Sequence, residues 1–158
     1  MLDFKRDYDR NAPLDGVLPN LVAAAPKRYA GLGLRDLGDQ MWAHMKESRQ
    51  GHWQGQAYAR LPRPTMTPRR AFQTLMAGHA EKVPLQEIAG RTVGVGVIPY
   101  PPGIPVVMPG EDVGPPDGPW LTYLRLLQEW GEKFPGFAKE VEGTEEHDGK
   151  LYVYCLRR

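Results

Sequence analysis

Few side chains of this 158-residue sequence are of a type that does chemistry, and their spacing narrows the possibilities further. The four histidines, His44, His52, His79 and His147, are scattered, with no His-Glu-x-x-His or comparable ligand pair, so no metal site is expected. His44 and His79 fall near the ends of predicted helices, where an imidazole meets the terminal carbonyls. The one serine, Ser48, lies in a charged helix tail without the small-residue elbow that a nucleophile needs. The one cysteine, Cys155, alternates with Leu151 and Val153 and reads as a packed, inert thiol on a buried strand face. Being alone, it excludes an internal disulfide and a multi-cysteine zinc site, which suits a reducing cytoplasm.

Two glycine pairs invite a phosphate-cradling reading and fail it. The third glycine of a GxGxxG is replaced by Asp36 after Gly31 and Gly33, and by Pro99 after Gly94 and Gly96. The second pair lies within a strand pattern, where glycine leaves room for another backbone or an aromatic ring. Trp120, Tyr123 and Trp130 could stack bases, but only Arg125 and Lys133 are near, so a core or subunit-interface stripe is preferred and no nucleic acid is expected. The acidic run Glu140, Glu142, Glu145, Glu146 and Asp148 reads as a solvated loop. What stands out is residues 99–111, PYPPGIPVVMPGE, where two Pro-Gly elements bracket an apolar run and end on the carboxylate of Glu111. Such stiffness suits a functional edge, and it equally suits a plain structural reversal.

The elements that must position this segment follow from periodicity. With 41% hydrophobic residues the chain can bury one core, and its formal charge of +1 gives no field to steer nucleic acid or an anionic membrane. The amino end is too charged for a secretory signal, and no apolar run is long enough to span a bilayer. Residues 14–22 predict a short helix. Leu34, Leu37, Met41, Trp42 and Met45 predict a longer one with Arg35, Asp39, Lys46 and Glu47 in solvent. Residues 48–63, broken by Gly51, Gly55 and Pro62, read as a long connection. Thr67-Pro68 starts a helix that should bury Ala71, Phe72, Leu75 and Met76 and stop at Gly78. Residues 86–90 read as a single turn, residues 92–98 and 104–108 as strands, and Pro119 as the start of a helix with Trp120, Tyr123, Leu124, Leu127 and Trp130 on one stripe. Residues 141–144 and 150–156 form strands around a turn over 145–149, whose Asp148-Gly149 suits a hairpin. The class is α+β, three to four helices on a small, mainly antiparallel sheet.

Tyr100-Pro101-Pro102-Gly103-Ile104-Pro105, followed by Met108-Pro109-Gly110-Glu111, resembles the C-terminal domain of ornithine, lysine and arginine decarboxylases. Tyr8-Asp9-x-Asn11, Leu18-Pro19, the segment from Arg28-Tyr29 to Leu37, Met66-Thr67-Pro68, Val83-Pro84-Leu85-x-Glu87-x-x-Gly90-Arg91 and Phe134-Pro135-Gly136-Phe137 fall in the same order at similar spacing. The resemblance covers nearly the whole chain. It implies a linker over residues 1–12 and, over 13–158, a domain that follows the cofactor-binding domain of a fold-type I enzyme. That parent would be a cytoplasmic homo-oligomer using pyridoxal phosphate to decarboxylate a basic amino acid.

In the family the cofactor lysine follows Ser-x-His, whereas none of the seven lysines here follows a histidine. The resemblance therefore implies no cofactor and no catalytic residue on this chain alone, and reads it as a fragment supporting active-site access and oligomer assembly. Tyr100, Pro102, Gly103 and Glu111 are the expected active-site-proximal loop. Glu111 would attract the distal cation of the substrate, cap a helix or pair with an arginine. A stand-alone interaction or regulatory module that kept this tail stays open as the other reading.

Overall fold

In the computed structural model, residues 2–100, 102–137 and 140–157 are described; Pro101 of the singled-out turn, Lys139 and Arg158 lie outside them. The chain opens with α1 (Leu2–Asp9), α2 (Leu14–Val17), α3 (Pro19–Ala24) and α4 (Pro26–Tyr29). Apolar spacing over residues 14–22 predicts a single helix, but Pro19 divides it. Proline disfavours a helical residue before it and starts a new helix at no cost in hydrogen bonds.

α5 (Leu34–Glu47) buries Leu34 and Leu37, and its amino end is capped from a distance. Asn11 Oδ1 accepts the backbone N–H groups of Arg35 and Asp36 at 2.9 and 3.1 Å, and its Nδ2 donates to Asp36 Oδ2 at 2.8 Å. Gly33 holds the N-cap position without a side chain because that space is taken: a Cβ there would lie 2.0 Å from Asn11 Oδ1. Trp42 departs from the expected stripe and is 67% exposed. It sits about 100° round the helix from Met41, beyond the narrow face that one neighbouring layer can cover.

The expected long connection is instead helical. After Arg49, which turns the chain at φ 53, α6 (Gln50–Ala59) packs along a later helix and buries Gln50 and Ala57. Gly51 and Gly55 look like breaks, yet tertiary packing outweighs their poor propensity. α7 (Pro68–Met76) begins as predicted, with Thr67 Oγ1 accepting the Arg70 N–H at 3.3 Å. Of its expected buried face only Ala71 is enclosed; Leu75 is half-buried and turned toward Gly94, and Phe72 and Met76 stand in solvent. This helix lies on the outside of the sheet, so one side alone is covered.

The strands form three antiparallel sheets among the described residues. β1 (Arg63–Pro64) pairs with β4 (Glu111–Asp112), and β3 (Ile98–Tyr100) pairs with β5 (Glu140–Glu142). β2 (Ala80–Pro84), β7 (Lys150–Leu156) and β6 (Thr144–His147) make a three-stranded sheet with β7 in the middle. A 3-10 turn (Leu85–Glu87) follows β2. Asp148 and Gly149 link β6 to β7 with φ of 50° and 74°, the left-handed pair that a two-residue hairpin demands. This loop is tighter than the turn over 145–149 that the sequence suggests, because β6 runs on to His147.

The expected hairpin between residues 92–98 and 104–108 shrinks to one bridge, Val97 to Val107. Pro99 and Pro105 have no N–H to extend a ladder. The edge is taken instead by the backbone near β5: a Cβ on Gly143 would lie 1.8 Å from the Gly96 carbonyl oxygen. It is Gly143 that makes room for this backbone. A Cβ at Gly96 would meet only the Ile98 and Pro109 side chains at 3.8–3.9 Å, and one at Gly94 would press on the Leu156 side chain at 3.0 Å. The nearest neighbours of the glycine pair are thus aliphatic side chains, in place of the expected backbone or aromatic ring.

α8 (Pro119–Lys133) joins two hydrophobic cores. Its Leu121, Tyr123, Leu124 and Leu127 lie among Val83, Leu85, Ile88, Val93 and Val153 in an α/β body. Trp130, with Phe134 just beyond the helix, enters a second core with Leu14, Val22, Tyr29, Leu34 and Leu37. The α+β class stands, with eight helical segments among the described residues, of which α2 and α4 are single turns.

Candidate functional site

The described residues of the segment 99–111 are held by a series of backbone bonds. The Gly103 N–H donates to the Pro99 carbonyl at 2.9 Å, and Gly103 takes φ 78. The Tyr100 ring closes over this turn, 3.2 Å from where a Gly103 Cβ would sit. Further on, the Val106 N–H donates to Val97 and the Val97 N–H to Val107, each at 2.9 Å. Val106 and Val107 are therefore buried while Ile104 and Met108 face out.

Pro109-Gly110 forms the second corner, with φ 87 at Gly110 and the Glu111 N–H donating to the Met108 carbonyl at 3.0 Å. That is a type II turn, which requires glycine at its third position. The corner is clamped from both sides, since the Gly110 N–H bonds to Val93 and its carbonyl accepts from Thr65 and Met66. The Glu111 carboxylate turns back and accepts the Met108 N–H at 2.7 Å through Oε2. This bond closes the turn on itself, and none of the ion pairs among the described residues joins Glu111 to an arginine.

Glu111 also lines a cavity of about 150 Å³ with Tyr58, Leu61, Ile104, Pro105 and Met108. Tyr100, Pro102 and Gly103 lie outside that lining, so the four candidate residues do not converge on one point. Tyr58 and Leu61 come from the segment read as a connection. Trp53, Ala57 and Tyr58 recur at a helical step, a signal masked by the two glycines. The Tyr58 hydroxyl donates to the Ile104 carbonyl at 3.1 Å, tying α6 to the loop. Its ring stands edge-on to that of Tyr123, with centroids 6.1 Å apart. Burial, and then Tyr58 itself, push the Tyr123 phenol up to about 12; burial raises Tyr58 as well. Both phenols stay neutral near pH 7.

A larger groove of about 570 Å³ lies on the other side of Leu61, against Trp120, Pro115, Pro116 and the Arg63–Asp112 ion pair at 2.9 Å. Among the described residues no group of three or more His, Cys, Asp or Glu side chains could hold a metal ion. No helix among them is long and apolar enough to cross a membrane. Burial pushes the Cys155 thiol up to about 11, in keeping with an inert packed side chain.

Motif residues Arg28, Tyr29 and Phe137 fasten the amino-terminal helices and the chain after α8 together around the second core. Arg28 Nε donates to the Lys133 carbonyl at 2.9 Å, and its guanidinium lies 5.2 Å from the Phe134 ring centre. The Tyr29 hydroxyl donates to the Pro135 carbonyl and Trp130 Nε1 to the Phe137 carbonyl, both at 2.7 Å.

A family model described as Orn/Lys/Arg decarboxylase, C-terminal domain, matches residues 51–157. A biodegradative arginine decarboxylase of Escherichia coli strain K12 is 44% identical over 157 residues, covering 99% of this chain and 21% of that protein. A lysine decarboxylase of Pseudomonas aeruginosa is 41% identical over 161 residues, again 99% of this chain and 21% of the relative. The solved structure of lysine decarboxylase A from Pseudomonas aeruginosa superposes with a TM-score of 0.91 at 39% identity, over 99% of this chain and 21% of that one. The chain thus spans about a fifth of the length of these relatives.

Proposed function

Because the chain belongs to the family of ornithine/lysine/arginine decarboxylase C-terminal domains, we propose that it is the accessory C-terminal part of an enzyme that removes the α-carboxylate of a basic amino acid. The observation that carries this reading is 44% identity along 99% of the chain to one fifth of an arginine decarboxylase. The parent is read, from the resemblance, as a cytoplasmic homo-oligomer whose pyridoxal phosphate accepts the electron pair released with carbon dioxide. That cofactor is held through an imine to a lysine. The described lysines, 5, 27, 46, 82, 133 and 150, all stand at exposed positions, and none lines the cavities above. These residues do not fit the group, and no step of its chemistry is assigned to them.

The chain's own contribution is shape and charge at the edge of a channel. The part of the loop from Ile104 to Glu111 is held by bonds to the body and within itself, and Glu111 brings a carboxylate, oriented by the Met108 N–H, to the rim of a cavity. A carboxylate so held suits the distal cation of arginine, lysine or ornithine. Glu111→Gln in the complete enzyme keeps a carbonyl for the Met108 N–H and removes the charge. The expected result is a KM for the amino acid raised by roughly three-fold or more with kcat little changed, the pattern of lost uniform binding. Unchanged kinetics would remove the attraction role. For the chain alone, mixing with pyridoxal phosphate should give no imine absorbance; an adduct fixed by borohydride at one lysine would contradict the reading.

A further inference from the structure

Three exposed apolar side chains meet at one cavity. Leu61, 89% exposed, Ile104, 53%, and Met108, 42%, come from two distant segments and meet at the rim of the same cavity. Leu61 also borders the larger groove, whose far wall is Trp120 with Pro115 and Pro116. The result is an apolar ridge with a depression on either side. By contrast, Phe72 and Met76 lie one turn apart on a single helix, and neither lines a cavity given above.

The ridge is stiff. Ile104 is held through its carbonyl by Tyr58, and Met108 through its N–H by Glu111. A slack loop would fold such side chains back against the body; this one holds them in water. Apolar area presented on a fixed backbone is what a partner surface provides, because little conformational entropy is left to lose on docking. Arg63 and Asp112 beside it pair with each other, while Arg60 and Glu111 line the cavity itself and give an occupant of this face one charge of each sign to meet.

We propose that this ridge is the face on which the remainder of the chain's own decarboxylase polypeptide docks, an inference that rests on the reading in the preceding subsection. What selects this occupant is length. The chain accounts for 21% of the arginine decarboxylase it matches end to end, leaving about four-fifths of such a polypeptide to lie against it.

The test places single cysteines, Leu61→Cys and Ile104→Cys, in the complete polypeptide and follows maleimide labelling at each site by mass spectrometry, natively and in urea. The chain's own Cys155 is buried in the native state, and in urea its peptide is resolved from those of the introduced sites by mass. The proposal expects both sites to label at least about ten-fold more slowly in the native enzyme than in urea, independent of protein concentration, although the chain itself leaves them open. Smaller protection would overturn it. Protection that vanishes on dilution would overturn it too, by assigning the ridge to a second copy. Decarboxylation by the unsubstituted polypeptide separates the two layers of the argument. An active enzyme with freely labelled sites removes the docking face alone, and a polypeptide that releases no carbon dioxide from arginine, lysine or ornithine removes the reading beneath it.

Discussion

The helical layer of residues 2–49 and the α/β body that follows it are held by different physics. The layer has a small core of its own and is fastened by directional side-chain bonds: Asn11 to the first turn of α5, Tyr8 to Asp39, Arg28 to Lys133 and Tyr29 to Pro135. The body relies on backbone ladders, a larger apolar core and close backbone approaches such as Gly143 on Gly96. α8 belongs to both. The family model matches the body, residues 51–157, while full-length relatives match the layer too. Tyr8, Asn11, Arg28 and Tyr29, motif residues of the resemblance outside the loop, act in the structure as fasteners of the layer, and the difference teaches that a specific sequence pattern need not mark chemistry.

The comparison can be broken most forcefully at Phe134, fully buried in the layer's core. Phe134→Ala should cost about 4 kcal/mol, the usual loss for emptying a buried aromatic site. Amide exchange should rise in α5 before β7; simultaneous loss would mean the two cores are one. Next is Gly143→Ala in the body. Its methyl would meet the Gly96 carbonyl at a positive φ, and the urea midpoint should fall by the equivalent of about 3 kcal/mol.

Asn11→Ala should cost about 1–2 kcal/mol, the worth of a good helix cap, and expose the Arg35 and Asp36 amides to exchange without touching the body. Tyr29→Phe removes a hydrogen bond but little packing and should cost about 1 kcal/mol. The smallest effect concerns acid. The Asn11 amide, then the Gly33 N–H, hold the Asp36 carboxyl below the ordinary carboxylate value of 3.8. A group whose folded pKa is depressed contributes stability above its unfolded value and loses it as pH falls through the folded one. Amides of the first turn of α5 should thus exchange faster below about pH 4, and Asp36→Asn should abolish that step.

How legible this was depended on the range of the interaction. The α8 stripe was readable because five apolar side chains repeat at helical spacing, and Asp148-Gly149 because a two-residue turn is local chemistry. α6 was hidden by its glycines, since packing against α8, over 60 residues away in sequence, stabilises it. The cap on α5 was equally out of sight, as Asn11 lies far from the amides it serves. Trp42, Phe72 and Met76 show the other limit: periodicity reveals an apolar face, but not whether anything covers it. In the loop, stiffness was evident from its prolines and glycines, while the cavity beneath was not, because Tyr58 and Leu61 arrive from a segment that reads as connection.

The central claim is that the chemistry belongs to a larger polypeptide and the shape to this chain. Carbon dioxide release from arginine, lysine and ornithine, measured with pyridoxal phosphate for this chain alone and for the complete polypeptide, tests it directly. The account predicts release by the complete polypeptide and none above the cofactor-only background by the chain. Turnover by the chain alone would contradict it.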